Sequence, residues 1–340
     1  MLKWFLLLTA VFGFGYSIYN YYMKTTTDVK APTSGDYSKG NVVMEHKSEA
    51  LTRTFTYFKP ENLISDPALV FVLHGSRGTG DKVRFQSGYQ YDYLAEKTGE
   101  FITVYPNGYQ NHWNDCRASA SYAANTENID DVAFFEEMIN YFVEKHQINR
   151  ERVFVTGFSN GGQMVYRLAF EVPTGFTAFA AIAANLPIEE NLSCKKSQQG
   201  VSIAILNGTE DPINPYHGGV VNVYGNKSRG SVISSLSTIE YWATLANLTV
   251  KSEINLANSN DGTAVIKTIW TNSASQESKP NQVRLYTLKG SGHVMPSKVV
   301  NFARILGENS TSIEGAAEVW SFFQDVSKLN AKNKENNEIN

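Results

Sequence analysis

The pattern Gly-x-Ser-x-Gly, centred on Ser159, is a stretch of this chain whose residue types and spacing could do chemistry. Between a strand and a helix, this spacing forms a tight turn that projects the serine oxygen from the edge of a sheet. Gly157 and Gly161 let neighbouring backbone pass close to the turn, because they carry no Cβ atom. An ordinary glycine-rich turn between a strand and a helix could have the same sequence. Whether Ser159 is a nucleophile therefore depends on what the rest of the chain supplies.

A serine hydroxyl is a weak nucleophile at neutral pH and needs a base within hydrogen-bond distance. In a strand–turn–helix setting of this kind, an acid and then a histidine follow the serine in the chain. Of the six histidines, only His217 and His293 follow an acid that itself follows Ser159. His217 lies too close in sequence to the candidate acid, so we expect His293 to be the base, presented by a mobile loop that contains Gly290 and Gly292. The alternative is a structural or surface histidine.

Two neighbouring carboxylates, Glu210 and Asp211, follow a predicted strand and could orient His293. Asp211 stands further from the end of the strand and precedes Pro212, which stiffens the loop, so we expect Asp211 to be the acid. Its role would be to hold the histidine tautomer and to stabilise the imidazolium ion that forms.

Acyl transfer also needs hydrogen-bond donors for a developing oxyanion. One should be the backbone N–H of Asn160, directly after the serine, and the other the backbone N–H of Ser76. Ser76 lies in a glycine-rich loop that follows His74; the alternative for this loop is a plain turn at the end of a strand.

Alternating strands and helices would position these residues. Apolar and β-branched runs predict strands, and apolar residues at helical spacing predict helices. The predicted strands cover 51–58, 68–74, 101–105, 153–156, 176–184, 201–206 and 283–288, and the predicted helices cover 91–97, 132–146, 163–170, 234–248 and 312–323. Alternation of this kind predicts an α/β fold with a mostly parallel sheet, whose chemistry lies beyond the carboxyl ends of the strands.

The N-terminal residues 1–24 differ from the rest of the chain. Lys3 is followed by an uncharged stretch from Trp4 to Met23, long enough to span a bilayer. The segment is either a signal peptide or an N-terminal membrane anchor, and only the anchor would contact a membrane. Both interpretations predict export, to the extracellular space or the periplasm.

Composition divides the remaining chain into three parts. Residues 25–41 are polar and predict a flexible tether, residues 42–327 predict one catalytic domain, and residues 328–340 predict a polar disordered tail. The chain is 42% hydrophobic with a net charge of -3, so a large core is available and nothing favours a nucleic acid as partner.

Two cysteines, Cys116 and Cys194, permit one disulfide in an exported protein, and we expect them to pair. The alternative is two unpaired buried thiols. Their number is too small for a metal site, which needs three or four ligands, so we expect no metal.

The loop 109–116 follows a predicted strand at the catalytic edge of the sheet. We expect it to form one wall of the substrate site, with Trp113 as its main apolar surface. The alternative is that Trp113 fills the base of the loop against the sheet.

Taken together, the motifs resemble those of polyhydroxybutyrate depolymerase-like esterases, a family that includes feruloyl and acetylxylan esterases. The matching motifs are His74-Gly75, Tyr105-Pro-Asn-Gly108, Trp113, Asp130-Asp131-Val132, Gly157-Phe-Ser-Asn-Gly-Gly162, Asn207-Gly-Thr-Glu-Asp211, Pro215-Tyr-His-Gly-Gly219 and Gly290-Ser-Gly-His293. The chain departs from the family at Val294-Met295-Pro296, where a Trp-Pro pair is common, and the loop 76–80 lacks a cysteine found in many polymer depolymerases.

The resemblance implies an α/β-hydrolase fold and hydrolysis of carboxylic esters, small or polymeric, by a Ser-Asp-His triad without a cofactor. It also implies substrate contacts at His74 and Tyr216. Two other classes of function stay open: an acyltransferase or peptidase that uses the same triad, and a non-catalytic binding protein built on this scaffold.

Overall fold

The computed structural model describes residues 23–258, 262–272 and 281–339. Most of the N-terminal segment predicted as a signal peptide or anchor therefore lies outside the described residues. Within the described ranges, no helix combines the length and the apolar character that crossing a bilayer requires.

A ten-stranded sheet forms the centre of the described structure, in the order β11-β12-β13-β8-β7-β6-β4-β5-β3-β2. The strands are β1 Thr26–Thr27, β2 Asp36–His46, β3 Glu49–Lys59, β4 Ala68–Leu73, β5 Phe101–Pro106, β6 Val153–Phe158, β7 Ala178–Ile182, β8 Ile203–Gly208, β9 Gly219–Val220, β10 Ser231–Val232, β11 Val250–Asn258, β12 Ala264–Thr271, β13 Val283–Lys289 and β14 Val300–Asn301. The run from β13 to β5 is parallel, and the strands on both flanks are antiparallel. The predicted mostly parallel α/β sheet is confirmed.

Helices cover both faces of the sheet. They are α1 Gly80–Gln86, α2 Gln90–Thr98, α3 Ala123–Thr126, α4 Asp131–His146, α5 Asn160–Glu171, α6 Ser235–Leu245 and α7 Gly315–Ile339, with short 3-10 turns at Glu189–Asn191 and Arg304–Leu306. Side chains of α4, α5 and α6 join one core cluster, and side chains of α1, α2 and α7 join the other.

Strand β4 shows why the central strands read as continuous apolar runs. Leu69 and Phe71 belong to one core cluster, whereas Val70 and Val72 belong to the other. Alternate residues of a strand point to opposite faces, so a strand covered on both faces must be apolar throughout.

The ends of the domain differ from the prediction. The segment 25–41, predicted as a tether, contains β1 and the first half of β2, and β2 pairs with β3 from Asp36 to His46. This strand lies at the edge of the sheet and has no fully buried residue, so its polar composition is compatible with pairing. Residues 328–339, predicted as a disordered tail, continue helix α7, because their sequence contains no proline or glycine to end it.

The two cysteines are bonded to each other. Cys116 and Cys194 lie 78 residues apart in sequence, and their Cα atoms are separated by 5.0 Å. The bond joins the loop after β5 to the loop after β7, and both loops lie beyond the carboxyl edge of the parallel strands.

Candidate active site

Ser159 occupies the turn between β6 and α5. Its backbone dihedral angles are φ 56° and ψ -114°, in a region that costs energy for any residue other than glycine. Its N–H group donates to the carbonyl of Ile182 on the neighbouring strand, at 2.8 Å, and helix α5 begins one residue later. The strained turn predicted from the Gly-x-Ser-x-Gly pattern is therefore present.

The glycines of this turn are required by close backbone contacts. A Cβ atom on Gly161 would lie 2.6 Å from the carbonyl oxygen of Leu73, and one on Gly157 would overlap the carbonyl of Gly161. The Cβ-free positions let β6, α5 and the end of β4 meet at Ser159.

Ser159, His293 and Asp211 are joined by consecutive hydrogen bonds. The His293 Nε2 atom lies 3.0 Å from Ser159 Oγ, and His293 Nδ1 lies 2.7 Å from Asp211 Oδ2. The other carboxylate oxygen of Asp211 accepts from the N–H groups of Ile213 and Asn214, both at 2.8 Å. Since a carboxylate only accepts, His293 carries its proton on Nδ1 and presents Nε2 to the serine hydroxyl as an acceptor.

The loop that carries His293 is packed, not mobile as its glycines suggested. The His293 N–H group donates to the carbonyl of Leu306 at 2.6 Å, and that of Gly292 donates to Glu308 at 2.8 Å. A Cβ atom on Gly292 would overlap the Leu306 carbonyl. Glycine serves a close contact here and holds the ring in one position.

The two predicted oxyanion donors come from backbone segments next to Ser159. Asn160 is the first residue of α5, and its side chain is occupied by Trp113 N–H at 2.9 Å and by Asp115 at 2.6 Å, so any role toward a substrate falls to its main-chain N–H. Ser76 lies in the same cleft as Ser159. The backbone at Gly75 runs so close that an added Cβ would contact Ser159 Cβ at 3.2 Å.

The cleft that contains Ser159 and His293 has a volume of about 380 Å³. Its floor is the edge of the sheet that carries Ser159. One wall is formed by residues 221–229, which connect β9 to β10. The lining residues are Gly75, Ser76, Arg77, Gly78, Lys82, Gln86, Arg117, Phe158, Ser159, Gln163, Ala183, Ile213, Asn214, Val221, Val223, Tyr224, Arg229, His293 and Leu306.

Trp113 does not line this cleft, so the prediction that it forms a wall is wrong. Its side chain is fully buried, and its Nε1 donates to the carbonyl of His74 at 2.9 Å. The indole packs against the rings of His74 and Phe135, with centroid distances of 4.9 and 5.8 Å. The alternative interpretation holds: Trp113 fills the base of the loop against the sheet.

His74 is not a substrate contact either, because it is fully buried. Its Nδ1 lies 2.7 Å from the Gly75 carbonyl, and its Nε2 accepts from the N–H of Gly108 at 2.9 Å. Burial lowers the pKa of His74 to about 4, so the ring is a neutral link between two loops.

Tyr216 is not among the residues that line this cleft, and its contact with substrate stays a prediction. Its hydroxyl is 2.7 Å from Thr287 Oγ1 on β13. The tyrosine thereby holds the loop after Asp211 against the sheet.

Sequence reasoning missed the basic residues of the cleft: Arg77, Lys82, Arg117 and Arg229. They come from three separate loops and one short helix and share no spacing, so only the fold brings them together. Among the lining residues of the described chain, none is acidic.

Comparison with known proteins agrees with this architecture. Residues 67–224 match the model of the phospholipase/carboxylesterase family. Feruloyl esterase B of Neurospora crassa is 32% identical over 43% of this chain and 52% of its own length. A probable acetylxylan esterase A of Aspergillus clavatus is 33% identical over 37% of this chain and 41% of its own length. The chain thus spans about half or less of the length of these relatives.

A solved structure extends the comparison to the fold. The acetyl xylan esterase from Aspergillus awamori superimposes with a TM-score of 0.51 at 18% sequence identity, over 76% of this chain and 95% of that chain. The depolymerase part of the resemblance read from the motifs stays a prediction. The sequence matches and the sheet order show that this chain has the α/β-hydrolase fold and is similar to feruloyl and acetylxylan esterases, as its motifs predict.

Proposed function

We propose that this protein is a serine hydrolase that cleaves carboxylic esters through an acyl-enzyme intermediate. The observation that carries the proposal is the hydrogen-bonded chain from Ser159 through His293 to Asp211 at the floor of an open cleft. A serine with a strained backbone, a base at 3.0 Å and an acid behind that base meet the requirements for nucleophilic catalysis.

The reaction follows from this geometry. Ser159 Oγ attacks the ester carbonyl carbon while its proton passes to His293 Nε2, and the N–H groups of Asn160 and Ser76 stabilise the oxyanion. Collapse of the tetrahedral intermediate expels the alcohol, which takes the proton from His293, and leaves Ser159 acylated. Water then repeats the attack with His293 as base, which releases the acid and restores the serine.

The relatives support the substrate class. Proteins named feruloyl esterase and acetylxylan esterase are similar to this chain, so feruloyl and acetyl esters of polysaccharides are candidates, and polyhydroxyalkanoate esters follow from the motif resemblance. The apolar side chains of Phe158, Ile213 and Val221 in the cleft supply contacts for the uncharged parts of such esters.

We propose that the protein works outside the cytoplasm. The apolar stretch Trp4 to Met23 behind Lys3 favours export, and the bond between Cys116 and Cys194 suits an oxidising compartment.

The first experiment replaces the nucleophile. Ser159→Ala should lower kcat by about 10⁶, because the triad acts as a unit. Hydrolysis of short acyl, feruloyl and hydroxyalkanoate esters would be followed with purified protein, with the melting temperature as a check of folding. Ser119→Ala, at an exposed serine, is the matched control.

Two outcomes would redirect the proposal. An enzyme that keeps about a tenth of its rate in Ser159→Ala does not use this serine. Faster product release on addition of an alcohol, with transfer of the acyl group to that alcohol, would favour an acyltransferase.

A further inference from the structure

Arg229 lines the same cleft as Ser159 and has no counter-ion in the described structure. Only 7% of the residue is exposed, and its Nε atom is buried without a hydrogen-bond partner. In the described part of the chain, no ion pair involves this guanidinium. Arginine stays protonated in proteins, so a nearly buried positive charge faces the cleft unpaired.

The backbone at Arg229 is anchored by Asn191. The side-chain amide of Asn191 donates to the carbonyls of Arg229 and Ser231, at 2.9 and 3.2 Å. The next residue, Gly230, packs against Asn191 so closely that an added Cβ would lie 2.5 Å from Nδ2. The guanidinium carbon also lies 5.7 Å from the centre of the Tyr122 ring. The backbone at Arg229 is thus held, and the guanidinium lies near the Tyr122 ring.

The other charges around the cleft leave Arg229 uncompensated. Arg117 is paired with Asp115 at 2.5 Å, and that carboxylate is also bonded to Tyr122 and Asn160. Arg77 and Lys82 line the same cleft with exposed side chains. Burial, together with the positive charge of Arg117, lowers the pKa of Arg229 from its ordinary value. The environment thus opposes the charge that this residue carries.

Two further polar atoms in the cleft lining lack partners. Asn214 Nδ2 and Gln163 Oε1 are buried and form no hydrogen bond within the described chain. Burying an unpaired polar group costs about 1–3 kcal/mol, and an unpaired charge costs more. Asn214 Nδ2 and the Arg229 guanidinium can both donate to an anionic group, whereas Gln163 Oε1 only accepts and needs a donor elsewhere on the ligand.

We propose that Arg229 binds a carboxylate of the substrate, so that this protein prefers esters that carry a free carboxylate over neutral esters of the same size. This inference rests on the proposed ester hydrolysis and specifies its substrate class. A guanidinium offers parallel N–H groups that match the two oxygens of one carboxylate. Arg77 and Lys82, at the surface, would attract the anion toward the cleft.

The test compares matched pairs of esters. On the acyl side, 4-nitrophenyl hemiglutarate is compared with 4-nitrophenyl pentanoate, and on the alcohol side 4-acetoxybenzoate is compared with 4-acetoxytoluene. For one pair or both, wild-type kcat/KM should be at least about tenfold higher for the anionic ester, and Arg229→Gln should lower that ratio about 10- to 100-fold.

Two further variants complete the design. Arg150→Gln is the matched control, since Arg150 lies before β6 at the opposite edge of the sheet, and it should leave the ratio unchanged. Arg229→Lys keeps the positive charge but loses the parallel N–H groups of the guanidinium. It should therefore lower the anionic-to-neutral ratio of kcat/KM about three- to tenfold. This variant also decides the matter if Arg229→Gln fails to fold.

The inference and the proposed function fail in different ways. Hydrolysis with an anionic-to-neutral ratio near one, or with the same ratio in wild type and the Arg229 variants, overturns the carboxylate site and leaves the esterase standing. If wild type hydrolyses no ester, the proposed function fails, and calorimetric binding of 4-acetoxybenzoate decides the site. A tenfold weaker binding by Arg229→Gln supports it, and equal binding overturns it.

Discussion

Asp211 and Glu210 are neighbours with different surroundings. The Asp211 carboxylate is nearly buried, bonded to His293 at 2.7 Å and to two backbone N–H groups. Glu210 is exposed. Asp211→Asn should therefore lower kcat by about 10⁴ because it disturbs the histidine tautomer, whereas Glu210→Gln should change kcat less than about twofold.

Steady-state kinetics of the two variants on one chromogenic ester measure this difference. If Glu210→Gln were the more damaging of the two, the acid would be assigned to the wrong residue.

His74 should make the fold sensitive to acid. An unfolded histidine has a pKa of about 6.5, and burial lowers the pKa of His74 to about 4 in the fold. Between these values the unfolded chain binds more protons, so the free energy of unfolding falls as the pH falls from about 6.5 to about 4. The gap corresponds to about 3 kcal/mol.

Denaturant titrations of wild type and His74→Gln across this pH window isolate the effect. Glutamine can still accept from the N–H of Gly108 and does not titrate, so its pH dependence should be flatter. Burial raises the pKa values of Asp92 and Glu314 to about 6, which acts in the opposite direction but cancels in the difference. Parallel curves for the two proteins would remove His74 as the cause.

For single residues, the sequence predicts the triad, whose members follow a known order along the chain. It does not predict which side chains become buried together. Chain order narrows the candidates, and position within the loop separates Asp211 from Glu210. The surroundings of Trp113 depend on Phe135 from α4 and on His74, which lie far from it in sequence. Arg229 has no counter-ion because no acidic residue of the described chain lines the cleft. No local sequence pattern shows which residues line a cleft.

Among the elements, the turn from β6 to α5 requires positions without a Cβ atom. A methyl group at Gly161 would meet the carbonyl oxygens of Leu73 and His74, at 2.6 and 2.7 Å. Backbone cannot yield as a side chain can, so Gly161→Ala should cost about 1–3 kcal/mol of stability and displace Ser159.

Thermal unfolding and ester hydrolysis test this prediction together. Gly175→Ala is the control, since its nearest contact would be 3.3 Å and its backbone angle is ordinary. It should change stability by no more than about 0.5 kcal/mol. Full stability and activity in Gly161→Ala would show that the turn relaxes without cost.

Elements in the centre of the sheet were predictable, and those at its edges were not. Strands such as β4 and β6 are buried along their whole length, so hydrophobicity alone reveals them. Strand β2 has no fully buried residue and β11 is exposed at 250–255, so their pattern resembles that of a loop. Helix α1 begins inside the glycine-rich loop, where the Thr79 side chain caps it by accepting from Lys82 N–H.

Across the whole molecule, the bond between Cys116 and Cys194 closes a chain segment of 78 residues. Its removal should lower stability by about 2–4 kcal/mol, mainly by freeing the unfolded chain. The bond also holds Arg117 next to Asn191, the residue that anchors Arg229, through the pairing of Arg117 with Leu192.

Melting temperatures with and without reductant measure this contribution. Wild type should lose stability in reductant, and a protein with both Cys116→Ser and Cys194→Ser should be equally low in both conditions. Two results together would contradict the bond: a wild-type melting temperature that is the same with and without reductant, and two free thiols titrated in the protein without reductant.

The pairing of β1 with β14 has a consequence for the order in which the site is built during synthesis. Thr27 donates its hydroxyl to the carbonyl of Val299, 272 residues later, at 2.7 Å, and Thr25 accepts from the N–H of Ala303 at 3.2 Å. Contacts so distant in sequence form slowly, because a long loop must close first. The ribosome releases Ser159 and Asp211 well before Val299, so a growing chain carries a nucleophile and an acid without a seated base. The hydrogen bonds that hold the His293 loop, to the carbonyls of Leu306 and Glu308, also form only after this later segment has left the ribosome, as do those of Thr25 and Thr27.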